Sequence, residues 1–249
     1  LWSRGLGDGY KRQVVDRPRP GTIRTYACTT RVIDSSSMWR LGLRTLYAYD
    51  RFRLELLQRY WGSALQLGEG VSPNLRFARL RIDSGGRVEI ERGFGCERMP
   101  GNHLWVQANA LLHLEPEVWL RTESGENRIT LFPGARMHIG RRALLNGAMV
   151  SAKAEISIGS ETLLGWGVRI LDSDQHDLDQ DHRERTEPVR IGERVWIGAD
   201  SMVLRGVTIG DDVVIGARSL VTSDIPSGGL ALGVPAKPVR DLGSREGCN

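Results

Sequence analysis

The 249-residue chain is long enough for one large domain or for one domain with an appendage. Its hydrophobic content of 40% and charged content of 26% are those of an ordinary globular protein, which argues against a disordered or fibrous chain. The net charge of +4 favours either an anionic partner or a generally Arg-rich composition. Because no compact basic cluster with a known binding module is recognised, nucleic-acid binding is not expected.

The cysteines and the apolar runs bear on the compartment. Cys28, Cys96 and Cys248 are odd in number and far apart, so they predict a reducing compartment, the cytoplasm, rather than a disulfide scaffold. No apolar run approaches the ~18 residues that span a bilayer, and no secretory signal is recognised. The chain begins with Leu, and its first residues resemble read-through at the edge of an assembled sequence. We therefore expect residues 1–13 to be non-native.

Two segments precede the main pattern. Residues 1–37 are polar, which predicts an irregular lead-in whose Asp34–Ser37 cluster caps a helix. Residues 38–70 are predicted as an amphipathic helical segment, with the helix running from Met38 to about Trp61. We expect this helix to pack across the end of the following domain. Contact with a membrane surface or a lipid-linked substrate is the less favoured alternative.

Residues 71–128 contain short alternating strands separated by turns. Leu80, Ile82, Val88 and Ile90 alternate on either side of a Ser-Gly-Gly turn. The strands are interpreted either as irregular first turns of the repeat that follows or as a small β layer beside it. We favour the first interpretation because first repeats are commonly atypical.

Residues 129–226 are organised by a six-residue repeat. Six residues turn an α-helix by roughly 600°, which is no integral number of turns, and alternation along a strand has period two. A fixed period of six instead predicts a solenoid with flat faces, in which one aliphatic side chain per face points inward and Gly or another small residue makes the sharp corner. The tail, residues 227–249, is predicted to be extended because of its prolines. The inward residues that fix the period are Ile191, Ile197, Val203, Ile209, Ile215 and Val221.

Two breaks in the repeat indicate where side chains leave the solenoid. The interval from Ile139 to Ile158 is one residue longer than a three-sided coil, which predicts a one-residue bulge within residues 146–151. The interval from Ile170 to Ile191 is longer than a coil by about three residues, which we interpret as an extruded loop that contains residues 172–177. Polar loops on rigid scaffolds are where catalytic groups tend to lie.

The motifs of this region resemble those of the hexapeptide-repeat acyltransferases. A His-bearing loop, Trp196-Ile-Gly, Asp224-Ile-Pro and Gly233-Val-Pro follow one another in an order that is hard to obtain by chance. The resemblance covers about residues 129–242 and is greatest to the sugar O-acetyltransferase branch, which includes the maltose and galactoside acetyltransferases. It implies a left-handed parallel β-helix preceded by the N-terminal amphipathic helix, acetyl-CoA as acyl donor and a homotrimer. The implied acceptor is a hydroxyl of a sugar, polysaccharide precursor or glycolipid.

His176 is the predicted catalytic residue. Transfer of an acyl group from a thioester to a hydroxyl requires a base, and imidazole, with an ordinary pKa of ~6.5, suits that role at neutral pH. The resemblance assigns the role to His176, and His182 is a weaker alternative because it lies in a strongly charged stretch. Asp174 is expected to orient the base, with Asp172 as the next candidate, and the alternative is that these carboxylates cap the loop backbone.

The resemblance also assigns the substrate contacts. Asn146, with Asp172, is predicted to bind the acceptor, because an amide both donates and accepts hydrogen bonds; alternatively, Asn146 is a corner residue of the coil. Ser223 stands where the family often has Lys, and Arg218 is expected to replace that phosphate contact. The donor is expected in a groove between neighbouring solenoids, beside small corner residues and basic groups: Gly198, Ala199, Gly216, Ala217, Arg218, Lys237 and Arg240.

Three other functions are weighed against this one. The first is N-acetylation of an amino sugar, and the second is a non-catalytic assembly or binding module. The third is a zinc-dependent hydratase of the related γ-carbonic anhydrase type, which is disfavoured because three suitably spaced histidines are not recognised. No metal is therefore expected. Direct attack in a ternary complex is favoured because no nucleophilic Cys or Ser is recognised in the repeat.

Overall fold

The structure, a computed structural model, describes residues 35–97, 99, 101–177 and 179–247, with the backbone alone for residues 35–44 and 47. The chain divides into two compact units, residues 1–40 and 41–249. Residues 35–40 are helical and are the described part of the first unit. Of the lead-in predicted for residues 1–37, residues 1–34, including Cys28 and Asp34, lie outside the described residues, as does Cys248.

The N-terminal helix, α1, spans Ser35–Trp61. It begins three residues earlier than predicted and ends at Trp61, as predicted. The rest of the predicted segment 38–70 is not helical in the same way: a short 3₁₀ turn at Gly62–Ala64 leads directly into the first strand, Leu65–Leu67.

Within the second unit, one face of α1 packs on the domain that follows. Leu54, Leu57 and Trp61 lie against the hydrophobic core at the spacing of one helix face. Asp50, one turn earlier on that face, is buried and pairs with Arg76 at 2.5 Å, which offsets the cost of burying its charge. The opposite face leaves large apolar side chains exposed: Leu46, Tyr49, Phe52, Leu56 and Tyr60.

The second unit is a solenoid in which successive strands pass from one flat face to the next, so that three parallel sheets enclose one core. Face 1 contains β1 (Leu65–Leu67), β3 (Arg87–Ile90), β6 (Leu111–Leu114), β9 (Arg136–Ile139), β12 (Glu155–Ile158), β15 (Val189–Ile191) and β18 (Thr208–Ile209). Face 2 contains β2 (Arg79–Ile82), β5 (Asn102–Val106), β8 (Asn127–Leu131), β11 (Met149–Ala152), β14 (Arg169–Leu171), β17 (Met202–Val203) and β20 (Leu220–Val221). Face 3 contains β4 (Gly95–Cys96), β7 (Trp119–Arg121), β10 (Leu144–Asn146), β13 (Leu163–Leu164), β16 (Trp196–Ile197), β19 (Val214–Ile215), β21 (Gly229–Gly233) and β22 (Ala236–Asp241). The left-handed parallel β-helix predicted from the sequence is confirmed.

The six-residue repeat builds the core as predicted. On face 1 Ile191 lies beside Ile209, and on face 3 Ile197 lies beside Ile215, so each residue meets the one that follows it by three steps of the repeat. The six aliphatic residues that fixed the period are all between 0% and 3% exposed. Each face therefore buries a continuous column of branched side chains, which pack well on a pleated surface.

The same three faces continue back to residue 65. Strands β1 to β6 pair in parallel with the later strands, so residues 71–128 form coils of this solenoid and not a separate layer. The Ser-Gly-Gly segment between β2 and β3 turns the chain from face 2 to face 1 instead of closing a hairpin.

The positions that follow the inward isoleucines require glycine for a reason other than the one expected. A Cβ on Gly140 would lie 2.5 Å from the backbone nitrogen of Ser160 in the next coil, and one on Gly159 would lie 2.4 Å from the backbone of Gly192. Their backbone is not left-handed. These positions are therefore restricted by the close approach of the next coil, and not by the sharp turn that the sequence suggested.

The left-handed backbone lies two residues later and carries charged side chains. Along one corner these residues stack coil upon coil, with φ between 54° and 64°: Glu117, Arg142, Glu161, Arg194 and Asp212. The charges alternate in sign, and Arg142 pairs with Glu161 while Arg194 donates two hydrogen bonds to Asp212. Oppositely charged side chains therefore pair between coils at positions whose left-handed backbone would otherwise favour glycine.

The C-terminal segment is a hairpin rather than the predicted extended tail. Strand β21 joins face 3 beside β19, and β22 returns antiparallel to it. Pro238 is tolerated in β22 because this strand is the outer edge of its sheet, where a missing N–H breaks no ladder.

Substitution of Gly198 tests whether the approach of the next coil limits these positions. A Cβ at Gly198 would lie 2.6 Å from the backbone nitrogen of Ala217, so Gly198→Ala is expected to destabilise the fold by about 1–3 kcal/mol, the usual cost of overpacking. Gly229→Ala is the matched control, since its Cβ would approach nothing closer than 3.7 Å. Urea unfolding at one protein concentration measures both, and equal stabilities would contradict the explanation.

Candidate functional site

A long loop leaves the solenoid between β14 and β15. Ile158 and Ile191 are neighbours on face 1, as are Ile191 and Ile209. The interval from Ile158 to Ile191 is nevertheless fifteen residues longer than the interval from Ile191 to Ile209. The loop therefore adds fifteen residues to one coil, and the prediction of about three was wrong. Ile170 lies on face 2 and Ile191 on face 1, so the interval between them is one step of the repeat plus the loop and not a complete coil.

The other predicted break is confirmed in its length, and its place is corrected. Leu145 and Leu164 are neighbours on face 3, and the interval between them is one residue longer than that between Ile197 and Ile215 on the same face. Val150 lies beside Ile170, so the step from Leu145 to Val150 is one residue shorter than that from Leu164 to Ile170. The step from Val150 to Ile158 is two residues longer than that from Val203 to Ile209, so the added residues follow Val150. The two breaks thus occur in successive coils.

Asp172 anchors the first end of the loop. It is 0% exposed, and its carboxylate accepts hydrogen bonds from the backbone N–H groups of Lys153, Ala154 and Glu155 at 2.7, 2.7 and 2.9 Å. Three such bonds satisfy the charge within the chain. The prediction of Asp172 as an acceptor-binding or base-orienting residue is corrected, because its buried carboxylate holds backbone instead.

Asp174 also serves the loop. Its backbone N–H donates to the carbonyl oxygen of Arg185 across the loop at 3.0 Å. Its carboxylate accepts a hydrogen bond from Nε of Arg205 at 2.6 Å, which lowers the pKa of Asp174, with a smaller contribution from the backbone N–H of Arg185. Asp174 is therefore tied to Arg205 and not to His176, which corrects its predicted role in orienting the base.

His176 lies exposed on the loop, directly after Gln175, whose φ of 71° is left-handed. Among the described residues, none forms a hydrogen bond or ion pair with the His176 ring. Asp177 accepts hydrogen bonds from the backbone of Glu184 and from Arg183, and these lower the pKa of Asp177, with a smaller contribution from His176. The exposed side chain of His176 is therefore accessible to an incoming group.

His182, the alternative candidate, is already paired. Its Nδ1 lies 2.9 Å from a carboxylate oxygen of Asp179, and both side chains are more than half exposed. This is a surface pair on the outer part of the loop, so His182 is less available than His176.

Asn146 is the last residue of β10. Its side chain is half-buried, and its Oδ1 is buried without a hydrogen-bond partner among the described residues. An unsatisfied buried carbonyl is costly and therefore calls for an explanation, which a bound hydroxyl would provide.

The small corner residues predicted to admit the donor are explained in part by the fold. Gly198 and Gly216 are limited by the next coil, since a Cβ on Gly216 would lie 2.9 Å from the side chain of Leu232. Ala199 and Ala217 stack in successive coils and are at least partly exposed. The two alanines, and not the glycines, therefore offer a shallow open surface at this corner.

Lys237 and Arg240 share one face of β22. Lys237 lies opposite Leu232 and Arg240 opposite Leu230, because the register shifts by one residue at Val239. Opposed residues in paired strands point to the same side, so the bulge brings two exposed cations to one surface. Arg218 is 84% exposed and 3.8 Å from Asp200. In the described part of the chain, no hydrogen bond or ion pair joins these cations to the His176 loop.

The sequence reasoning missed the residues that hold the loop. Lys153 donates from Nζ to Glu184 at 2.6 Å and to the carbonyl oxygen of Gln175 at 3.1 Å. Arg205 joins Asp174 to Glu187. The sequence offered one signal for Lys153. The chain has only three lysines among its 34 basic residues, and one of them, Lys153, directly follows a strand of the repeat.

Among the described residues, no cluster of three His, Cys, Asp or Glu side chains has a geometry that would hold a metal ion. No helix there combines the length and apolar character that crossing a bilayer requires.

Residues 188–223 match the family model described as bacterial transferase hexapeptide (six repeats). The chain is 35% identical over 117 residues to galactoside O-acetyltransferase of Escherichia coli, covering 45% of this chain and 58% of the relative. It is 37% identical over 116 residues to the enzyme of that name in Lactococcus lactis, covering 45% and 56%. A crystal structure of a maltose O-acetyltransferase from Clostridium difficile is similar with 32% identity and a TM-score of 0.45, covering 50% of this chain and 66% of that one. The chain spans little more than half the length of these curated relatives.

Removal of the Asp172 charge tests its anchoring role. Asp172→Asn would turn an amide N–H toward backbone N–H donors, so we expect a loss of about 1–3 kcal/mol, the cost of leaving buried groups unsatisfied. Asp181→Asn, at an exposed position of the same loop, is the control and should leave stability unchanged. Urea unfolding compares the two, and an unchanged Asp172→Asn variant would refute the anchor.

Proposed function

We propose that this hexapeptide-repeat protein is an acetyl-CoA-dependent O-acetyltransferase acting on a hydroxyl of a sugar, polysaccharide precursor or glycolipid. The observation that carries the proposal is His176: an exposed imidazole without a partner among the described residues, on a loop that interrupts the repeat and is anchored by buried charge. The names of the galactoside O-acetyltransferases that resemble this chain support the reaction type.

His176 acts as general base in this proposal. It accepts the proton of the acceptor hydroxyl as that oxygen attacks the thioester carbonyl carbon. The new carbon–oxygen bond forms, the carbon–sulfur bond breaks, and the proton held by His176 passes to the departing thiolate. The products are the acetyl ester and free coenzyme A, and the imidazole is again neutral.

Asn146 is proposed to bind the acceptor. Its buried Oδ1 accepts a hydrogen bond from a sugar hydroxyl, which removes the cost of leaving that oxygen unsatisfied. Its amide N–H₂ supplies donors to a neighbouring acceptor oxygen. Asp172 is not part of this contact because it is fully buried.

Lys237 and Arg240 are proposed to bind the phosphates of the donor. They lie on one exposed face of β22, and two cations there suit the dense negative charge of a nucleotide phosphate. The partly open corner at Ala199 and Ala217 fits an acyl-thiol arm that needs a narrow, uncharged path. Arg218 adds a third cation, since Ser223 provides none.

A homotrimer is part of the proposal. Face 3 exposes large aromatic side chains, Trp119 and Trp196, that a neighbouring subunit would cover. A groove between subunits would also unite the donor surface with the His176 loop, which are not in contact within the described chain. A cytoplasmic location is retained from the scarcity of cysteine.

The role of His176 is tested by His176→Ala. We expect turnover to fall by at least ~100-fold, the scale of a general base, with little change in binding of acetyl-CoA. His182→Ala is the matched control on the same loop and should retain its rate. Thiol release with a panel of sugar and amino-sugar acceptors measures both. Preference for the amine would instead indicate N-acetylation, and full activity of His176→Ala would refute the assignment.

Donor binding is tested by thermal unfolding with acetyl-CoA. A ligand at about 100 times its Kd stabilises the folded state by about 2.7 kcal/mol, so a clear rise in Tm is expected. Lys237→Met combined with Arg240→Met should weaken binding by roughly tenfold or more, as expected for lost charge-assisted hydrogen bonds. Arg87→Met, at an exposed position of face 1, is the control. Stabilisation without turnover on any acceptor would indicate a binding module.

A further inference from the structure

Lys153 has its ammonium group under the His176 loop rather than in solvent. The side chain is 19% exposed, and Nζ lies 4.9 Å from the centre of the Phe132 ring. The ammonium donates to Oε1 of Glu184 at 2.6 Å and to the carbonyl oxygen of Gln175 at 3.1 Å. A largely buried ammonium requires such partners, because charge without hydrogen bonds is costly to bury.

The bond to Gln175 acts on the peptide that joins Gln175 to His176. Gln175 is one of the non-glycine residues with left-handed backbone, a conformation that L-residues rarely adopt. The left-handed conformation costs free energy, so it persists in a surface loop only where neighbouring groups hold it. Lys153 supplies such a contact from outside the loop, and the fixed peptide sets the direction in which the His176 side chain leaves the backbone.

The segment that carries Lys153 also holds the beginning of the loop. The backbone N–H groups of residues 153–155 donate to Asp172, whereas the Lys153 side chain reaches Gln175 and, in the later part of the loop, Glu184. One short segment at the end of β11 thus fixes three points of a loop that has no repeat to hold it. Consistent with this contact, the hydrogen bond from Lys153 lowers the pKa of Glu184.

We propose that Lys153, paired with Glu184, is a positioning residue for His176: its ammonium fixes the Gln175 peptide and thereby the approach of the imidazole to the reacting hydroxyl. The inference rests on the proposed function of His176. The Lys153 ammonium bonds to Gln175 and Glu184 and lies near the Phe132 ring, so in this role it acts through the histidine. Displacement of a reacting group by about 1 Å can cost on the order of 100-fold in rate.

The test uses the full chain and compares Lys153→Met, Lys153→Arg and Glu184→Gln. Methionine keeps an apolar stem against Phe132 and removes the donors, so kcat is expected to fall about tenfold or more while KM for acetyl-CoA is unchanged. Lys153→Arg retains charge and donors and should recover much of the lost rate. Glu184→Gln retains an acceptor oxygen and should lose less than Lys153→Met. Arg183→Met, which removes a cation that is 79% exposed on the same loop, is the matched control and should retain the wild-type kcat.

A double variant separates positioning from stability. If Lys153 acts through His176, then Lys153→Met adds no further loss to His176→Ala, because the group to be positioned is already gone. A multiplicative further loss, or a lowered Tm with unchanged kcat in the folded protein, would show a merely structural role and overturn the inference. A kcat of Lys153→Met equal to that of Arg183→Met would also overturn it.

Failure of the proposed function gives a different pattern. If the wild-type protein transfers no acetyl group, or if His176→Ala is fully active, the general-base assignment fails before Lys153 is considered. If both behave as proposed and Lys153→Met matches the wild type, only the positioning role is wrong. Binding of acetyl-CoA, measured by the rise in Tm, confirms that each variant is folded in either case.

Discussion

The constraint on which the structure depends is the spacing between successive coils. Parallel strands of one face lie about 4.8 Å apart, so each coil must repeat the path of the one before it with almost no room between them. Aliphatic side chains fill the interior column, and several of the residues that follow them are glycines that leave space for the backbone of the next coil. At Gly159 a single added carbon would lie 2.4 Å from that backbone. The six-residue period is therefore a packing requirement of the coils from Ile191 to Val221, whereas earlier coils are longer: the neighbours Ile90 and Leu114 are 24 positions apart.

This regularity makes every added residue visible. A coil with one extra residue absorbs it after Val150, whereas a coil with fifteen extra residues must expel them as a loop. Residues in this loop lack the neighbouring coils that satisfy the backbone hydrogen bonds of residues within the solenoid. Polar side chains replace those neighbours, and they differ in burial: Asp172 is fully buried, Lys153 is mostly buried, and the Asp177–Arg183 pair is exposed. The firmest contacts are thus at the base of the loop, and exposed surface pairs of this kind contribute little.

The arrangement of charge follows the same division. Along one corner, residues with left-handed backbone alternate between acidic and basic side chains, so the field of each is cancelled by the next coil. On β22 the opposite holds, because the bulge at Val239 brings Lys237 and Arg240 to one side. Paired charges stabilise the scaffold, whereas cations collected on one surface suit an anionic ligand. A rigid solenoid can support both because its corners are fixed in position, and loops and edges supply the variable chemistry.

The sequence by itself determined the solenoid, its inward residues and the excess of one residue in the coil before the loop, because contacts between coils recur every six residues and impose that period on the chain. It also predicted His176 as the catalytic residue, through motifs that resemble those of the acyltransferase family. It did not determine the length of the loop, because a count of six-residue steps cannot distinguish one step between faces from a complete coil. It also did not determine the roles of Asp172 and Asp174, because their hydrogen-bond partners are remote in sequence. Asp172 was predicted to bind the acceptor or to orient the base, yet its carboxylate accepts hydrogen bonds from the backbone of Lys153, Ala154 and Glu155. Only the tertiary structure decided those partners, because hydrogen bonds between a loop and a neighbouring coil depend on where the fold brings the chain together. Such contacts do not recur along the chain, so they produce no periodic pattern in the sequence.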